Sequence, residues 1–163
     1  MRILGVDPGL SGAHALLAGT FVEMIEPLPV IGGELDITCI RDRWCSLRPD
    51  VIVIERSQAF PGQGASSAFN YGATWGSLRT LARVLGFRHE LVGPAVWHRA
   101  LLIGAPKTKD RKDKKDAVIR YVYQAFPRVN LVLPRCRKPH DGMADALCLA
   151  EYGRRVFGQA VAS

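Results

Sequence analysis

Ile3-Leu4-Gly5-Val6-Asp7-Pro8-Gly9 decides the reading of this chain. A short uncharged run of this kind, closed by a turn dipeptide, predicts a buried strand. It leaves the Asp7 carboxylate where the strand meets a loop. The pattern recurs at Val51-Ile52-Val53-Ile54-Glu55. Asp141 and Asp145 stand four apart at the start of the last helical pattern, and therefore on one side of it. Carboxylates placed at the ends of buried elements should converge, and held together they repel unless they are protonated or share cations. Mg²⁺ prefers oxygen ligands, and a pair of such ions would balance the charge. The expectation is a metal-dependent phosphodiester enzyme built on Asp7, Glu55, Asp141 and Asp145.

Outward from these segments the chain alternates. Arg2 to Asp7, Ala13 to Ala18 and Phe21 to Ile25 read as strands, the last two joined by a hairpin at Gly19-Thr20. A helix is predicted from about Asp36 to Leu47, with Ile37, Ile40, Trp44 and Leu47 at helical spacing. After the Val51 strand and a loop over Arg56 to Ala65, a long helix covers Ser66 to Leu85 and ends at Gly86. Leu91-Val92-Gly93 suggests a further strand, and Pro94 opens a short helix carrying Trp97. Asp116 to Phe126 and Asp141 to Phe157 complete the helices, with an extended segment from Val129 to Pro134 between them. The order predicts an α/β layered sheet that opens on an antiparallel hairpin.

At 163 residues, nearly half of them apolar, the chain is expected to be one domain, residues 1–163, with its own core. A net charge of +7 and a pI near 9.6 favour a polyanionic partner. The charge is concentrated at Lys107, Lys109, Arg111, Lys112, Lys114 and Lys115, and again at Arg135, Arg137 and Lys138. The first cluster reads either as a solvated loop or as a phosphate-binding surface. Cys39, Cys45, Cys136 and Cys148 form no metal-binding spacing and no disulfide framework, which suggests a reducing, cytoplasmic setting. The N-terminus enters a strand after a single Arg and does not read as a signal peptide. No apolar run approaches the ~20 residues of a membrane span, so no membrane partner is expected.

Three stretches together resemble RuvC-type Holliday junction resolvases of the ribonuclease-H-like superfamily, and most closely the phage-type RuvC-like endonucleases. They are Ile3 to Gly9, Val51 to Glu55, and His140-Asp141-Gly142-Met143-Ala144-Asp145-Ala146-Leu147, in that order across nearly the whole chain. The resemblance implies a ribonuclease-H-like α/β fold, a mixed sheet of about five strands flanked by helices. It implies two Mg²⁺ ions per active site, with Mn²⁺ able to substitute, set roughly 3.5–4 Å apart. Asp7 would bridge both ions, Glu55 and Asp145 would each hold one, and Asp141 would complete the site or orient a water. The implied activity is paired nicking of four-way junctions, forks or flaps by a homodimer, leaving 5′-phosphate and 3′-hydroxyl ends. The implied DNA contacts are Phe60 and the Lys107 to Lys115 cluster, in which Lys114 or Lys115 takes the place of a phosphate-contacting lysine.

The sequence departs from that pattern twice. Many RuvC proteins carry their last two acids three apart, whereas here Gly142 holds that position and the acid stands one residue earlier. Where bacterial members place a lysine before a short helix, this chain has Val96-Trp97-His98. Several residues keep a second reading. Asp141 fits the N-cap of the last helix, and His140 fits either an assisting base or a cap. Phe60 fits a buried loop anchor, and Trp97 fits core better than a stacking platform. Gly72 and Gly76 fit close helix packing, either within the core or across a dimer. An RNA-processing nuclease of the YqgF type, or a catalytically silent branched-DNA binder, would use many of the same residues.

Overall fold

The computed structural model describes residues 1–56, 64–104 and 110–158. Its centre is a five-stranded mixed sheet. β1 (Arg2–Asp7), β2 (Ala13–Ala18) and β3 (Phe21–Pro27) form an antiparallel meander. A two-stranded hairpin, β4 (Val30–Ile31) and β5 (Glu34–Leu35), follows. After α1 (Ile37–Leu47), strand β6 (Val51–Glu55) returns parallel to β1. α2 (Ala65–Val84) then leads to β7 (His89–Val92), parallel to β6 at the sheet edge. The strand order is β3-β2-β1-β6-β7. α3 (Pro94–Leu101), α4 (Arg111–Ala125) and α5 (Asp141–Gly158) are the remaining elements among the described residues. Among the described residues this is the expected ribonuclease-H-like arrangement: a mixed five-stranded sheet flanked by five helices.

Alternation along the strands sorts the core into two layers. Ile3, Val51 and Val53 face α5, together with Trp97, Leu101, Val118, Val122 and Leu147. Leu4, Val6, Ile52 and Ile54 face the other way, onto Ile40 and Trp44 of α1 and Leu78 and Leu81 of α2. By the same alternation Asp7 and Glu55 belong to the α5 side. They sit at the carboxyl ends of neighbouring parallel strands, where Val6 pairs with Ile54.

Glycine sets how closely α5 lies on β1. A Cβ on Gly5 would stand 2.0 Å from the Ala146 carbonyl oxygen, so only hydrogen fits between strand and helix. Gly142 is as constrained, since its Cβ would meet the Ser11 carbonyl oxygen at 2.7 Å and Asp7 Oδ2 at 2.9 Å. An acid at 142 would collide with the β1–β2 turn, which accounts for the displaced carboxylate at 141.

One sequence expectation needs correction. The helix expected from Asp116 begins at Arg111, because Asp110 caps it: its Oδ1 accepts from Lys112 N at 2.6 Å. The basic cluster from Lys112 onward is therefore helical and not loop. The extended segment over Val129 to Pro134 adds no strand to the sheet and makes one isolated bridge, Val132 to Pro139. Cys148 is buried and Cys39, Cys45 and Cys136 are exposed, and all four are free thiols. Among the described residues no helix is long and apolar enough to cross a membrane.

Candidate active site

β1 and β6 end side by side on Asp7 and Glu55, and the first two turns of α5 bring Asp141 and Asp145 over them. The electrostatics show the four to be neighbours. Burial raises the Asp7 carboxyl well above the usual carboxylate range, and the charges of Asp145, Glu55 and Asp141 push it further. Burial, with Glu55 and Asp141, pushes Asp145 up to about 7. Glu55 is also raised by burial, against hydrogen bonds that lower it. Lys115 opposes the rise at both Asp7 and Asp145. All four residues are nevertheless partly exposed.

The four are held differently. Asp141 is not the helix N-cap, because that role falls to His140, whose Nδ1 accepts from Met143 N–H at 3.2 Å. This bond leaves the proton of a neutral ring on Nε2, and it accounts for His140 as a cap. Asp141 begins the helix, and its Oδ2 takes the Lys115 ammonium; both side chains are 40% exposed. Glu55 accepts at Oε1 from Trp97 Nε1–H at 2.9 Å, and the neighbouring Tyr71 hydroxyl also lowers its pKa. Trp97 is a core residue, as its position in α3 suggested, with only 1% of its surface exposed. Its bond to Glu55, and Tyr71 altogether, are not visible in hydrophobic spacing.

α4 delivers the cations. Lys115 reaches Asp141, and the charge of Lys114 is felt at His98 on α3, whose pKa is lowered first by burial and then by that lysine. Lys112 and Lys114 are exposed. The basic helix therefore adjoins the acidic strand ends. Arg111 opens α4, while Phe60, Lys107 and Lys109 lie outside the described residues. Gly72 and Gly76 do not pack in the core, since a Cβ on either meets nothing within 4 Å among the described residues. Phe69, on the same helix, is 75% exposed.

Oxygen donors with raised pKa values are short of positive charge, and such a set fits a hard divalent cation better than a soft one. Among the described residues no three His, Cys, Asp or Glu side chains are gathered in ready coordination geometry. A groove of about 500 Å³ opens beside β7, lined by Arg56, Val92, Pro94, Tyr152 and Phe157, and it contains none of the four carboxylates.

No protein-family model matches the chain, and no curated protein matches it by sequence. Solved structures do match. Thermus thermophilus RuvC in complex with Holliday junction substrate superposes with a TM-score of 0.66 at 19% identity, over 96% of each chain. The fowlpox virus resolvase, solved with Holliday junction DNA, gives 0.60 at 15% identity over 96% of this chain and 99% of that one. The yeast mitochondrial Holliday junction resolvase Ydc2 gives 0.51 at 17% identity over 96% and 79%. This chain therefore has the RuvC-like resolvase fold.

Proposed function

We propose that the chain is a structure-selective DNA endonuclease that resolves four-way junctions, or related forks and flaps, by paired nicks that leave 5′-phosphate and 3′-hydroxyl ends. The observation that carries this reading is the meeting of Asp7, Glu55 and Asp145, from three separate elements, beside the exposed lysines of α4. Asp7, Glu55 and Asp145 would hold Mg²⁺, or Mn²⁺ in its place, with Asp141 at the rim. A bound pair of such ions supplies polarisation of the phosphodiester and of the attacking water.

The chain's own groups do the rest. Lys115, tethered by Asp141, presents its ammonium to a backbone phosphate at the edge of the site. Lys112 and Lys114 extend that positive face along α4 and hold the neighbouring phosphates. A junction has two strands to cut, so a homodimer supplies the second site. The open face of α2 around Phe69, Gly72 and Gly76 is the surface offered for it. Chains of similar fold have been solved on Holliday junction DNA, which supports the choice of substrate.

The test is a panel of labelled substrates with Mg²⁺: an immobile four-way junction, a linear duplex and an RNA–DNA hybrid. The reading expects symmetric nicks in the junction and little cutting of the other two. Preferential cutting of the hybrid would move the assignment to RNA processing, and binding without cutting in Mg²⁺ or Mn²⁺ would leave a silent junction binder.

A further inference from the structure

We infer that Trp97 and Tyr71 are positioning residues that clamp Glu55 from two sides and so set how tightly the site holds a divalent ion. The inference rests on the nuclease reading and goes beyond it, because it concerns residues outside the proposed ligand set.

The geometry is specific. Trp97 has its ring in the core with Val92, Leu101 and Val118, and its indole N–H is directed at Glu55 Oε1, 2.9 Å away. A buried indole N–H left without an acceptor is costly, and the acceptor here is the carboxylate that ends β6. Tyr71 approaches from α2, where its ring also lies against the β1–β2 turn: a Cβ on Gly9 would stand 3.9 Å from Tyr71 Cε2. Its hydroxyl neighbours the same carboxylate and lowers its pKa, which makes it the second donor of the inferred clamp. Two donors from two helices thus hold one glutamate.

Glutamate has three side-chain torsions, and an unheld Glu55 would sample several positions at the strand end. A carboxylate offers about four lone-pair sites. Two donors occupy part of that capacity, fix the plane of the group and leave its remaining lone pairs for an ion. They also favour the ionised form, the form that ligates, in surroundings where burial disfavours it. Partners that orient a ligand in this way typically change metal affinity ~10–100-fold when removed.

The variants are Trp97→Phe and Tyr71→Phe, which keep an aromatic ring and remove the donor. The first readout is Mn²⁺ binding to the DNA-free protein by calorimetry. The second is the Mg²⁺ concentration that gives half-maximal nicking of a four-way junction. The clamp predicts Mn²⁺ affinity lower by roughly tenfold or more in each variant. It also predicts a higher Mg²⁺ midpoint, with most of the cutting rate recovered at saturating metal. Tyr71→Phe guards against misfolding of the Trp97 variant, since Tyr71 is only partly buried. Unchanged Mn²⁺ affinity and Mg²⁺ midpoint in folded variants, even with a lower Tm, would make both residues merely structural and overturn the clamp alone. A wild-type chain that takes up no Mn²⁺ would overturn the clamp and the nuclease reading together.

Discussion

Asp145→Asn should make the metal-free protein more stable while it destroys cutting, and the gain should grow with pH. Asp145 carries a pKa of about 7 in the folded chain against an ordinary 3.8, so ionising it costs about 4 kcal/mol more folded than unfolded. Asp145 is partly exposed, and discounting for solvent screening leaves about 2–3 kcal/mol. The sign follows from the raised value. The protonated group's contribution to stability is fully present below pH 3.8 and is lost as pH rises through about 7. The asparagine variant escapes that loss. Any packing change it brings is the same at every pH, so it cancels from the difference between pH 4.5 and pH 8. The assay is thermal unfolding in EDTA across that range. Relative to wild type, the variant's Tm should climb by roughly 5–10 °C. Saturating Mg²⁺ at pH 8 should then close much of the gap by stabilising the wild type alone. A Tm difference that stays flat from pH 4.5 to 8 would refute the crowding of charge on which the site assignment rests.

Lys114→Ala with Lys115→Ala should weaken junction binding and reduce the slope of log affinity against log salt by roughly 1.8, which a titration from low to moderate salt will read. An unaltered slope would remove α4 from the DNA interface. Gly142→Ala should lower stability by about 1–3 kcal/mol in denaturant melts, because the new Cβ falls 2.7 Å from the Ser11 carbonyl oxygen. It should also displace Asp7 and slow nicking, and a neutral result would mean the β1–β2 turn yields freely. In the proposed homodimer, Phe69→Glu, on the open face of α2, should shift sedimentation toward monomer and turn paired cuts into single nicks. An unchanged sedimentation coefficient would take this face of α2 out of the proposed dimer contact.

The sheet and the acidic cluster were legible because each rests on a local pattern. Ile3 to Asp7 and Val51 to Glu55 are apolar runs closed by an acid, and parallel pairing brings their ends together. Asp141 and Asp145 share a helix side by spacing alone. The start of α4 was missed because its inward period begins only at Val118. The first two turns are charged, and the signal for them is Asp110 capping a run of helix formers. The Gly142 departure could be read but not explained until the approach of Ser11 and Asp7 was seen.

The partners of the carboxylates were not legible. Hydrophobic period assigned Trp97 to the core correctly, yet it carries no information about where an indole N–H is directed. Tyr71 lies on a helix whose N-terminal half is largely exposed, and nothing in its neighbourhood marks it as a donor to Glu55. Pairing of Lys115 with Asp141 joins residues 26 apart through a tertiary contact, beyond the reach of any local spacing rule.

The most direct measurement follows binding and strand cleavage of one immobile four-way junction in the same reaction, for the wild type and for Asp7→Asn, with Mg²⁺ and with EDTA. The account predicts that both proteins bind the junction and that only the wild type in Mg²⁺ cuts it, at paired sites. Equal cutting by Asp7→Asn, or a wild type that binds the junction and leaves it whole in Mg²⁺ and in Mn²⁺, would contradict it.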